Sequence, residues 1–103
     1  MNTTPATESV NPTQLLEGDV VWEHGMRVLL DRPAMVWESN GRAVYTWNGS
    51  VTNPEQIPAD DYLLQSFMHE NRWIQGEGWV AVRVNRWTVQ GNDLASVRRE
   101  IRP

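Results

Sequence analysis

The sequence predicts a mainly β domain folded as one small barrel, and three observations carry that expectation. Met26, Val28 and Leu30 alternate with Arg27, Leu29 and Asp31, and similar short alternations recur along the chain, which is the period of a pleated strand. Two Asn-Gly dipeptides, Asn40-Gly41 and Asn48-Gly49, sit among β-branched and aromatic residues. Asn-Gly accepts the positive φ angles that tight hairpin turns demand. Six Trp stand against one Phe, and large flat side chains suit half-buried strand surfaces better than helix seams.

Residues 1–14 mix Thr, Pro, Asn, Ser and Glu with little apolar content, so composition predicts a disordered tail ahead of a single domain over 15–103. Val20 and Trp22 share one side of a first strand. Glu23 to Gly25 then supplies a turn into a second strand through Met26, Val28 and Leu30, and Pro33, which has no N–H to give, marks that strand's end or an edge. A turn at Asn40-Gly41 sets Ser39 opposite Arg42 and Trp37 opposite Val44, with Ala43, Tyr45 and Trp47 on the other face. Asn48-Gly49 reads as a second turn. "NGS" also matches a glycosylation sequon, but without a secretory signal the turn is the reading retained.

Between Pro54 and Pro58 the pattern is that of a loop. Leu63, Leu64, Phe67 and Met68 then fall on one side of a helix over about 60–69, capped by Asp60 or Asp61 and placed to cover an open barrel end. The stretch "NRWIQGEGWVAVRV" predicts a hairpin with Gly76, Glu77 and Gly78 as its loop and Ile74 facing Val80. Ile74, Val80, Val82 and Val84 then share one face, and Trp73, Trp79 and Ala81 the other. After Val84 the apolar parity changes, since Trp87 and Val89 are odd-numbered, which calls for a bend near Asn85. Asn92 or Asp93 would cap a 3-10 turn over 94–97, followed by a last strand in "RREIR". Five to six short strands, one short helix and that turn describe an SH3-like barrel; an OB-like barrel and an open α+β sheet are the alternatives.

A chain of 103 residues can bury one modest core. It has no Cys, so thiolate metal sites and disulfides are excluded, and the reading for location is cytoplasmic. The first residues lack a basic and an apolar segment of the secretory kind, and no run reaches the length of a membrane span, so no membrane association is expected. All nine basic residues are Arg, which suits a GC-rich coding source. Residues 1–70 hold three Arg against ten acids, a balance of minus seven, while 71–103 hold six Arg against three acids, a balance of plus three. Either a basic C-terminal face meets an acidic partner, or the two halves attract each other within the fold; the second is favoured, because small domains mix charges routinely.

Catalytic chemistry has no constellation to stand on. His24 and His69 are each isolated, Asp19, Glu23 and Asp31 or Asp60 and Asp61 are carboxylates without a His or a phosphate loop, and no nucleophile elbow or dinucleotide fingerprint occurs. The expectation is a protein that is not an enzyme, with no catalytic residue, no metal and no cofactor. Arg72, Trp73, Trp79, Arg83, Arg86 and Trp87 are the candidate binding residues, because Arg and Trp could share one basic, aromatic face of the C-terminal hairpin. Against that face stands the more ordinary role of Trp in cores and cross-strand pairs. A protein partner, or a second copy, is the favoured occupant. Nucleic acid is the alternative, disfavoured by a net charge of minus four.

The segments "GDVVWEHGMRVLLD", "VYTWNGSV" and "RWTVQGNDLA" resemble those of short uncharacterised proteins encoded by actinobacterial phages, over roughly residues 17–50 and 79–97. The resemblance implies a phage protein expressed in the host cytoplasm. It implies no activity and no site residue, because the shared segments read as turns and strand ends.

Overall fold

The computed structural model describes residues 5–102. The chain is mainly β and its strand pairings are antiparallel, forming one seven-stranded sheet and one separate two-stranded ribbon. Strand β1 (Thr7–Val10) is followed by a 3-10 turn at Pro12–Gln14, β2 (Val20–Glu23), β3 (Met26–Leu29), β4 (Met35–Ser39) and the long β5 (Arg42–Val51). A second 3-10 turn at Pro54–Gln56 leads to helix α1 (Tyr62–Phe67), the ribbon β6 (His69–Ile74) and β7 (Gly78–Arg83), then β8 (Arg86–Gly91) and β9 (Val97–Glu100). In the large sheet the order is β1-β9-β2-β3-β5-β4, with β8 on the other edge of β5. Among the described residues nine strands replace the expected five or six, and no ladder joins the ends of the sheet into a closed barrel.

The first two hairpins form as their sequences dictate. His24 (φ 51) and Gly25 (φ 80) make a two-residue turn that sets Glu23 against Met26, and Asn40 (φ 54) and Gly41 (φ 77) set Ser39 against Arg42 and Trp37 against Val44. Pro33 lies between β3 and β4, which share one edge of β5. From Leu29 to Met35 is six steps, whereas their partners Ser50 and Thr46 are four apart, so a two-residue bulge takes up the proline.

Asn48-Gly49 is not a turn. Both residues lie in mid-β5, where Gly49 pairs Trp87 on one side and passes Val28 on the other; a Cβ built on Gly49 would sit 2.4 Å from Val28 Cγ1. The glycine is there for close approach of strands, a use that the dipeptide alone does not distinguish from a turn. Likewise no 3-10 turn covers 94–97: Asn92 Oδ1 accepts from Leu94 N–H and Asn92 O from Ala95 N–H, a single capped turn, and Val97 already belongs to β9.

Segment 7–14 is built into the fold, contrary to the tail that composition suggested; residues 1–4 lie outside the described residues. Thr7 to Val10 pair with Glu100 to Val97, Asn11 caps the following turn reciprocally with Gln14, and Pro12 is buried. Backbone pairing to a distant strand needs no apolar side chains, so composition does not reveal it.

The core gathers Val21, Met26, Val28, Leu30, Trp47, Val51, Met68, Val89 and Val97, together with Leu15 and Ile57 from the connecting segments. Helix α1 is shorter than the expected 60–69, and Asp61 Oδ1 accepts from Leu64 N–H at its start. It faces the core by one edge only. Leu64 touches the core and Met68, just past the helix, is fully buried, while Leu63 and Phe67 of the same apolar stripe stay exposed.

Candidate functional site

The ribbon stands apart from the large sheet, and its sequence explains both its turn and its pairing. Gln75, Gly76 and Glu77 form the loop, with Gly76 at φ 90 and Gly78 at φ 81, and Glu77 N–H donates to Ile74 O. The loop therefore sits one residue earlier than the spacing of Gly76 to Gly78 suggested. Ile74 opposes Gly78 and not Val80, which pairs with Arg72. Because the whole register moves by an even number, the faces are as expected: Trp73, Trp79, Ala81 and Arg83 lie on one, Ile74, Val80 and Val82 on the other. At Asn85 (φ 48) the chain leaves the ribbon and enters β8, which is the bend that the parity change required.

Trp73 and Trp79 oppose each other directly, with ring centroids 5.7 Å apart at 72°, an edge-to-face pair. They are 66% and 70% exposed. The other four tryptophans each spend the indole N–H on a partner in the fold: Trp22 on Glu100, Trp37 on Thr46, Trp47 on the Pro12 carbonyl and Trp87 on Glu23. Among the described residues, neither Trp73 nor Trp79 has an acceptor for its N–H. Trp37, 46% exposed, is wet but tethered.

Of the six candidate residues, then, the structure brings together Trp73, Trp79 and Arg83 and separates the rest. Arg72 lies on the opposite ribbon face and pairs with Glu70. Arg86 and Trp87 belong to the large sheet. Arg86 donates to Asp31 Oδ1 at 2.9 Å, to Ser50 Oγ and to the side chain and carbonyl of Asn48. Half-buried Trp87 meets His24 and Phe67 edge to face. A single basic aromatic face is therefore not formed.

The charge division resolves inside the molecule. Asp31 takes Arg86, Glu8 and Asp19 take Arg99, Asp19 takes Arg102, and Glu100 takes Arg27, while Arg83 and Arg98 bond the neutral partners Gln65, Asn85 and Thr7. All six arginines of 71–103 thus find acceptors within the chain. Arg102 holds the Asp19 carboxyl below the usual range, Arg86 does so for Asp31, and Arg27 for Glu100. Each folded-state pKa is depressed, so the unfolded chain takes up these protons first, and the ion pairs stabilise fully above about pH 5 and lose that contribution as pH falls below about 4 through the depressed folded-state values. The urea midpoint is expected to drop between pH 6 and pH 3, and to drop less in an Asp19→Asn, Asp31→Asn variant. Equal slopes for both proteins would contradict the assignment.

Phe67, which the sequence offered only as helix core, lines with Trp87, Arg86 and Asn48 an open cleft of about 460 Å³ between α1 and β8. His69 also borders it, with Glu70, and its Nδ1 donates to the Gln65 carbonyl, while His24 contacts Trp87 edge to face. Among the described residues no three His, Asp or Glu side chains gather as metal ligands, and no helix is long and apolar enough to cross a membrane. Comparison with protein-family models, curated proteins and solved structures returns no match.

Proposed function

We propose that this chain is a non-enzymatic protein-interaction module that presents the Trp73–Trp79 clip on a projecting β-ribbon. The proposal extends to an SH3-like arrangement of its large sheet and to a phage protein acting in the host cytoplasm. Support for the SH3-like arrangement is that β2, β3, β5 and β8 are neighbours in sequence order, while β9 returns to pair with β2. The observation that carries the function is the contrast among tryptophans: four are anchored, and two are paired with each other in the open. An exposed cross-strand Trp pair whose N–H groups have no acceptor among the described residues suits the anchor of a protein contact, where Trp is enriched. Against nucleic acid stand the net charge of minus four and the carboxylates that pair Arg72, Arg86, Arg99 and Arg102.

Recovery of a partner protein from actinobacterial lysate by immobilised chain tests the reading. Trp79→Ala is expected to lower recovery about tenfold or more, as loss of an interface anchor does, without moving the urea midpoint by more than a few tenths molar. Trp37→Ala, on the other hairpin, is expected to leave recovery unchanged. Equal recovery from both folded variants would overturn the assignment of the clip.

A further inference from the structure

We infer that the ribbon pairs with itself: β7 of one copy lies antiparallel to β7 of a second across a two-fold axis through Ala81, giving a four-stranded sheet in the order β6-β7-β7-β6. The inference rests on the reading above that the ribbon is the contact element, and it names the occupant of one edge of it.

Three observations lead there. Among the described residues the ribbon has no ladder to the large sheet. A lone two-stranded ribbon is marginal in water, and three or more strands are needed for independent stability. Its two edges also differ. β6 carries His69, Glu70 and Arg72, with Glu70 and Arg72 ion-paired, and inward or edge charges are how sheets discourage further pairing. β7 from Gly78 to Val82 reads Gly-Trp-Val-Ala-Val, with no charge, no proline and no bulge, which is an edge left open.

The third observation fixes the register. With the axis at Ala81, Trp79 opposes Arg83 of the second copy, Val80 opposes Val82, and Ala81 opposes itself. Arg83 keeps its charge un-neutralised, since its partners Asn85 and Gln65 are neutral, so the one cation of the strand meets an indole face and no like charges meet. Val80 against Val82 is a favourable β-branched pair on the other face. Moving the axis to Val80 would set left-handed Gly78 (φ 81) against Val82 and leave Arg83 opposite the turn, shortening the ladder. A contact confined to two ribbons buries on the order of 500 Å² per copy, the small end of specific interfaces, so dimerisation in the micromolar range is expected.

Sedimentation equilibrium of the full chain at about 100 µM is expected to show a dimer. Ala81→Lys and Ala81→Glu each place like charges on the axis from a position that is solvent-exposed in one copy, and each alone is expected to be monomeric. An equimolar mixture of the two is expected to regain the dimer. The chain has no Cys, so Ala81→Cys gives a clean register test. Opposed Cα atoms in an antiparallel pair lie about 4.5–5.5 Å apart, within disulfide reach, and oxidation should cross-link Ala81→Cys but not Val80→Cys. A wild-type monomer at 100 µM, charge variants that remain dimeric, or cross-linking of Val80→Cys alone would each overturn the inference. If the chain is monomeric while Trp79→Ala still loses partner recovery, only the self-pairing fails. If charge rescue succeeds while Trp79→Ala recovers partner normally, the external partner fails and the second copy stands.

Discussion

Trp47→Ala is expected to remove about 3–5 kcal/mol from the free energy of unfolding, the range for emptying a buried aromatic site. The residue is 5% exposed, in the core opposite its strand partner Val89, and its indole N–H donates to the Pro12 carbonyl at 3.1 Å. Two losses therefore combine, a cavity at the centre of β5 and the indole's hydrogen bond to the Pro12 carbonyl, which keeps only the longer bond from Leu15 N–H. Trp47→Phe separates them, since it keeps most of the volume and removes only the donor, and about 1–2 kcal/mol is expected. Urea unfolding followed by far-UV circular dichroism gives both values. A loss under about 1.5 kcal/mol for the alanine variant would mean that Trp47 is not the centre of the core.

Gly49→Ala is expected to cost about 3 kcal/mol, although it adds one methyl group. That methyl would lie 2.4 Å from Val28 Cγ1 and 2.9 Å from the Leu29 carbonyl oxygen. Val28 is fully buried, and the Leu29 carbonyl is backbone held by the β3–β5 pairing, so neither can yield without parting two strands. Gly41→Ala is the contrast. Nothing lies within 4 Å of its Cβ position, and its cost, about 1 kcal/mol, comes from positive φ alone. If the two variants unfold at the same urea concentration, steric exclusion at Gly49 is refuted.

What could be read from residues was whatever depends on neighbours in sequence. The turns at His24-Gly25 and Asn40-Gly41, the capping Asp61, the bend at Asn85 and the two faces of the ribbon all follow from local φ demands and alternation. What could not be read depends on residues far along the chain. Asn48-Gly49 has the letters of a turn, but Val28 and Leu29 decide its use. Arg86 and Trp87 look like surface groups until Asp31 and Glu23 arrive across the sheet. Thr7 to Val10 look unstructured until β9 supplies a partner. Of the binding residues, alternation alone could group Trp73, Trp79 and Arg83 and set Arg72 apart; Arg86 and Trp87 required the tertiary structure.

The pairing of β1 with β9 also has a bearing on how the molecule is made. Thr7 meets Glu100 and Val10 meets Val97, among the most sequence-distant contacts the chain can offer, and closing such a span costs loop entropy before any contact repays it. During synthesis β1 has no ladder partner until β9 has been made. Its backbone groups stay with water through translation, the hairpins of β2 to β5 form without it, and its docking on β9 is the step that completes the sheet.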